Sequence, residues 1–372
     1  MRISSPLHAT YRQVFLTLAV ALPIVSIAAA QNIGELKAKA ESGDVHAQSA
    51  LGNAYHAGDG VQKDDSEAVR WWQKAAEQSD VSAQVNLGLA YQLGWSVTKN
   101  YAAAAHWFLR AAEQGNVGAQ SNLGNLYSAG LGVPKDEAEA VRWWRKAAEQ
   151  GGVVAQANLG TAYHFGNGVP KDDAESVQWY RKAAEKDNAP AQLALGMAYM
   201  YGTGIPKDEV EGVKCLRKSA EQGYAGGEFW LGSAYQAGLG VAKDESQATG
   251  WFRKAADQGA AAAQFNLGNA YNKGRGVAQD NAEAVRWWQK AADQNLGSAQ
   301  YNLGIAYRDG VGIPKDAVEA YFWINIAASS ASAAAMRDTR DQIGKTLTPA
   351  QLAAVQERCR EWAATHPTRP TQ

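Results

Sequence analysis

Cysteine is nearly missing from this sequence: Cys215 and Cys359 are the only two in 372 residues. Histidine is also sparse. His8, His46, His56, His106, His164 and His366 show no metal-ligand spacing. Neither sign of charge is in excess, with 36 Lys and Arg against 37 Asp and Glu. That balance lacks the basic stripe a nucleic-acid partner would need. Long apolar runs are confined to the N-terminus, so no membrane span is expected in the mature chain. No nucleophile elbow is present, and no G-x-G turn follows a strand. These absences remove the usual sequence signs of catalytic, metal and phosphate chemistry, and no cofactor is expected.

The first thirty residues differ in kind from the rest. Arg2 and Arg12 supply positive charge, and Val14 to Ile27 is apolar, broken by Thr17, Pro23 and Ser26. Ala28, Ala29 and Ala30 follow, small enough for signal-peptidase recognition. The stretch reads as a secretory signal over 1–30, too short and interrupted to span a bilayer comfortably. The expectation is export to a periplasm or beyond. No Cys follows the cleavage site, which argues against lipid attachment there.

What the sequence does have is a strict repeat. Ala-Gln-x-x-Leu-Gly-x-x-Tyr opens at Ala47, Ala83, Ala119, Ala155, Ala191, Ala263 and Ala299, with a degenerate copy at Gly227. Each start lies 36 residues after the last, without insertion or deletion. A fixed period of this size means stacked copies of one supersecondary unit. Cys215 and Cys359 then lie four repeats apart, too far for the roughly 4.4–6.8 Å between Cα atoms that a disulfide tolerates, so two free, partly buried thiols are expected.

One copy, Ala119 to Val154, shows the unit. Ala119, Leu123, Leu126 and Tyr127 form one face of a helix that Gly130 ends. Gly130 to Lys135 is a turn. Asp136 reads as an N-cap and Glu139 as its capping-box partner, a pair repeated at Asp64/Glu67, Asp172/Glu175, Asp208/Glu211, Asp280/Glu283 and Asp316/Glu319. A second helix runs to about Gln150, with Gly151 fitting the position just past its end. Glycines recur inside the first helix at Gly52, Gly88, Gly124, Gly160, Gly196, Gly232, Gly268 and Gly304. Each costs the helix about 1 kcal/mol against Ala, so a packing reason is required. The second-helix aromatic pairs, such as Trp143-Trp144, can supply it by resting on the bare backbone.

The consensus A-Q-x-x-L-G-x-x-Y-x-x-G-x-G-V-x-K-D-x-x-E-A-V-x-W-W-x-K-A-A-E-Q-G resembles the Sel-one-like repeat, a relative of the tetratricopeptide repeat. The likeness covers Ala47 to about Ala334. It implies an all-α, right-handed superhelical solenoid of about eight 36-residue helix-turn-helix repeats. It also implies a non-catalytic scaffold that binds protein or peptide partners, often in bacterial envelope, secretion or signalling pathways. Residues 31–46 resemble half a repeat and should cap one end. Capping helices are expected over 335–364, and a disordered tail over 365–372. A cysteine-rich branch of the family is associated with β-lactam or cell-wall chemistry. This chain lacks the paired cysteines of that branch. A glycan-binding envelope protein using exposed aromatics is a further alternative.

Partner contacts are expected on the inner, first-helix surface. The fourth repeat position carries Asn86, Asn122, Asn158, Asn266 and Asn302, a ladder able to grip an extended peptide or to bond within the stack. Leu193, Met197, Met200, Tyr201, Phe229 and Trp230 add apolar bulk in repeats five and six, either as an adaptable surface or as local repacking. Trp95 stands in an altered turn, as a contact or as filling. His56 and His164 hold equivalent positions and are expected to face solvent. N-terminal sequencing of the exported protein should begin at Gln31. A mature start at Met1 would contradict the signal reading.

Overall fold

The computed structural model describes residues 33–328 and 334–366, and every element among them is a helix. The signal expected over 1–30 lies outside the described residues, as do 367–372 of the expected tail. The chain divides into two units: residues up to 191 with 203–206, and 192–202 with 207–372. Each is built from the same antiparallel helix pairs. The first holds a leading helix, Ile33–Glu41, and the hairpins Val45–Ala57/Asp65–Glu77, Val81–Leu93/Tyr101–Glu113, Val117–Ala129/Glu137–Glu149 and Val153–Phe165/Asp173–Ala184. The second holds Glu209–Glu221, which follows the helix Ala189–Tyr201, then the hairpins Ala225–Ala237/Glu245–Asp257, Ala261–Lys273/Asn281–Ala292 and Gly297–Asp309/Ala317–Ala327. Two closing helices, Ala334–Gly344 and Pro349–Thr365, complete it. The last helix thus extends through Thr365, the first residue of the expected tail, and His366 stacks on Trp362 at 3.8 Å.

Local chemistry sets each hairpin. In repeat three, Asn116 Oδ1 accepts from the Ala119 amide and starts the first helix. Gly130 closes it in the left-handed region at φ 66°, which a side chain would resist. The chain returns and the Asp136 amide donates to the Tyr127 carbonyl at 2.9 Å. Asp136 Oδ1 then accepts from the Glu139 amide.

This geometry corrects the expected capping box. The Asp136 amide is already taken by Tyr127, so Glu139 has no reason to reach back and pairs with Arg142 instead. Glu67, Glu211 and Glu283 likewise turn to Arg70, Lys214 and Arg286. A full capping box forms at Thr348/Gln351, with both reciprocal bonds present.

The packing reason for the helical glycines is explicit. A Cβ placed on Gly124 would lie 2.6 Å from Trp144 Cδ1 and Nε1. Gly52 meets Trp72 in the same way, Gly88 meets Phe108, Gly160 meets Tyr180, Gly232 meets Phe252 and Gly268 meets Trp288. Leu216 and Ile324 fill the same place against Gly196 and Gly304. The second aromatic of each doublet therefore locks its own hairpin, and Trp144 is fully buried.

The first aromatic joins neighbouring repeats. Trp143 packs with Leu89, Phe108, Leu123 and Leu126, and Trp179 packs with Trp144 and Leu159. Lysines one turn on cover these rings: Lys146 Nζ lies 4.3 Å from the Trp143 ring centroid and Lys182 Nζ 3.9 Å from that of Trp179. A second contact between repeats comes from the turn. A Cβ on Gly132 would lie 2.2 Å from the Tyr101 carbonyl carbon, so backbone rests on backbone there.

Gly124→Ala should therefore destabilise by about 1–3 kcal/mol through overpacking. Gly250→Ala, also within a helix but with nothing within 4 Å of its Cβ, should stabilise by about 0.5–1 kcal/mol. Urea unfolding of both variants checks the contrast.

Candidate functional site

The asparagine ladder is largely committed within the stack. Asn86 donates through Nδ2 to Asn53 Oδ1 at 2.8 Å, Asn158 to Asn125 Oδ1 at 2.8 Å, and Asn302 to Asn269 Oδ1 at 3.0 Å. The same three oxygens accept the indole N–H of Trp72, Trp144 and Trp288. Each of these three Asn residues thus completes a two-donor network begun in the preceding repeat. Asn122 is buried and its Nδ2 has no partner among the described residues, because the preceding repeat has Leu89 where others have Asn. Asn266 is half-buried; the preceding repeat offers Ser233, whose hydroxyl donates to the Phe229 carbonyl.

The residue after the helical glycine tracks the aromatic it faces. Asn accompanies Trp in repeats one, three and seven. Thr161 accompanies Tyr180, whose hydroxyl bonds Thr161 Oγ1 at 3.0 Å, and Leu89 accompanies Phe108. That correlation is visible within this one chain once its repeats are aligned, but it points to a polar core rather than to a ligand.

A second ladder, of glutamines, carried no sign of its role in the sequence. Gln84 Nε2 donates to the Ala76 carbonyl at 3.2 Å, eight residues back on the preceding second helix. Gln48, Gln120, Gln156, Gln264 and Gln300 repeat the bond. The side-chain oxygen then accepts from a glutamine at the next second-helix terminus, as in Gln114 to Gln84 and Gln150 to Gln120. In repeat four this partner is Lys186, which turns to the Gly151 carbonyl, leaving the buried Gln156 Oε1 without a partner among the described residues.

The apolar group of repeats five and six separates in space. Leu193, Met197 and Met200 are buried in the core, a correction to their reading as an exposed surface. Leu216 replaces the aromatic that six of the repeats place against the glycine, and the methionines fill the volume; Met200 Cγ lies 2.8 Å from where a Gly212 Cβ would be. Tyr201 is 60% exposed and offers itself to solvent. Phe229 and Trp230 are half-buried, their rings 5.4 Å apart, and Phe229 also meets Phe252. Trp95 fills its altered turn half-buried, its ring 4.5 Å from His56.

The histidines are placed differently from expectation. His56 Nδ1 lies 2.7 Å from Asp65 Oδ1, and His164 Nδ1 lies 2.8 Å from Asp173 Oδ1. These pairs tie the two helices of a hairpin together instead of facing open solvent. Asp64 is the cap, and its neighbour Asp65 serves the histidine. Among the described residues neither cysteine is in a disulfide, and both are buried. Burial pushes the Cys359 thiol up, the direction opposite to that of a nucleophilic cysteine. Among the described residues, no group of three or more His, Cys, Asp or Glu could hold a metal, and no helix is long and apolar enough to cross a membrane.

A cleft of about 430 Å³ lies between the first helices of repeats seven and eight. Phe265, Trp288, Ile305 and Val311 give it apolar walls, Asn269 and Asn302 line it, and Lys273 joins the lining from the end of its helix. Lys273 is exposed and makes no salt bridge among the described residues. Asn302 spends Nδ2 on Asn269, and no donor to its Oδ1 is found among the described residues.

Helix pairs repeating every 36 residues, locked by glycine–aromatic contacts, define an all-α repeat solenoid. Eight consecutive matches to the Sel1 repeat, over 45–80, 81–116, 117–152, 153–188, 189–224, 225–259, 261–296 and 297–332, make the chain a member of that family. It is similar to a Sel1 repeat protein from Oxalobacter formigenes, at 33% identity and a TM-score of 0.66, over 84% of this chain and 90% of that one. It is also similar to c5321, a protective antigen present in uropathogenic Escherichia coli strains that displays an SLR fold, at 35% identity and a TM-score of 0.56, over 90% and 79% of the two chains. Among curated proteins, none matches it.

Removing the acceptor in Asn125→Ala should cost about 1–3 kcal/mol, since two buried donors lose their partner. Combining Asn125→Leu with Trp144→Phe recreates the Leu89/Phe108 pair of repeat two and should recover part of the loss. Denaturant unfolding of the double-mutant cycle reads the coupling, and strictly additive effects would contradict the network.

Proposed function

We propose that this Sel1 repeat protein is an exported, non-catalytic scaffold that docks an extended segment of a partner protein across the first helices of repeats seven and eight. Sel1 repeats generally mediate protein interactions. The observation that carries the finer reading is the cleft. Its apolar walls suit one large side chain, the Asn302 Oδ1 can accept a partner's backbone amide, and the exposed Lys273 favours an acidic neighbour. The rigid repeat framework holds these groups in place before a partner arrives, which lowers the ordering cost of binding. Export rests on the character of residues 1–30.

A photo-crosslinking residue at position 273 tests the site in living cells. One defined adduct is expected from 273, and none from position 250, exposed on a second helix. Adding Phe265→Glu should remove the adduct. Equal labelling from both positions, or an adduct that survives Phe265→Glu, would overturn the proposed surface.

A further inference from the structure

Repeat six breaks the glutamine ladder with an acid. Glu228 occupies the position that is Gln48, Gln84, Gln120, Gln156, Gln264 and Gln300 in other repeats, and only 3% of it is exposed. In those six repeats the side-chain Nε2 donates to a carbonyl eight residues back at 3.1–3.2 Å. The equivalent acceptor here is the Ala220 carbonyl. The helices come close at this point: a Cβ on Gly227 would lie 2.5 Å from Ser219 Oγ and 2.8 Å from the Ala220 amide nitrogen. An ionised carboxylate has no proton to offer a carbonyl.

The other side of the ladder is intact. Gln258 Nε2 donates to Glu228 Oε2 at 2.8 Å and to the Gly223 carbonyl at 3.0 Å. The same junction is weak in two further ways. Tyr224, at the N-cap of the helix Ala225–Ala237, makes no side-chain capping bond. The first turn then contains Gly226 and Gly227, and glycine raises the cost of ordering a helix.

We infer that Glu228 is a proton-dependent latch between the helices Glu209–Glu221 and Ala225–Ala237. Protonated, it donates to the Ala220 carbonyl as the glutamines do elsewhere and closes the junction. Ionised, it sets a carboxylate against a carbonyl and leaves the start of the helix Ala225–Ala237 free to open. The charged groups facing it are on the helix Glu245–Asp257: Lys254 favours the ionised form and Asp257 opposes it. On the preceding second helix, Ser219 and the Ala220 backbone lie against Gly227, the residue before Glu228.

Burial is the largest influence on this carboxyl and raises its pKa above the ordinary value of 4.5. The closed state therefore holds the proton more tightly than the open one. Closure is strongest below the ordinary carboxylate range and is lost as pH rises through the elevated value. Each unit of elevation appears as a tenfold rise in the opening constant.

Hydrogen exchange of the full chain from pH 4 to pH 8, corrected for intrinsic rates, reads this directly. Opening of the segment 224–232 should increase with pH in the natural protein and become independent of pH in Glu228→Gln, which restores the residue found in other repeats. Gln264→Glu should transfer the same pH dependence to 260–268. A pH-independent segment in the natural protein, a dependence that persists in Glu228→Gln, or no transfer by Gln264→Glu would each overturn the latch.

Discussion

A bare helix backbone facing a large side chain is the contact on which the rest of this structure depends. The glycine in the first helix carries a local penalty, and it brings the second helix close enough to bury a ring completely. At Gly124 the clearance is below anything a methyl group could occupy. Once that ring is seated, the second-helix residue before it is directed toward the preceding hairpin, where Trp143 and Trp179 complete their neighbours' cores. One local sacrifice thus fixes both the hairpin and its attachment.

Polar groups follow from the same geometry. An indole pressed against glycine carries an N–H into the interior, and burial without a partner would be costly. Asn53, Asn125 and Asn269 answer that need, and Asn86, Asn158 and Asn302 share the same acceptor. Where the ring is Tyr, Thr161 supplies the partner; where it is Phe108, Leu89 suffices. The glutamines serve the neighbouring junction by joining side chains to carbonyls across repeats. Beside these networks stand the cleft lined by Lys273, the exposed Tyr201 and Glu228, an acid placed where an amide belongs.

Much of the fold was legible because its signals are local and repeated eight times. Gly130 and Asp136 mark the turn by backbone conformation and capping, and Gly124 demanded a bulky neighbour. The capping box was misread because the competing bond comes from Tyr127, nine residues earlier, a contact no short motif reveals. Met197 and Met200 resembled surface bulk because the lost volume they refill, at Leu216, lies on another helix. Glu228 passed as a degenerate copy of Gln, since only the burial and the facing carbonyl make its proton matter.

Each repeat depends on its immediate neighbours to complete its core. Residue-resolved hydrogen exchange of a Trp144→Ala variant tests that most directly. Protection should collapse in residues 117–149 and weaken in the adjoining hairpins, while 261–309 exchanges as in the natural protein. A uniform loss of protection across all the hairpins would contradict it.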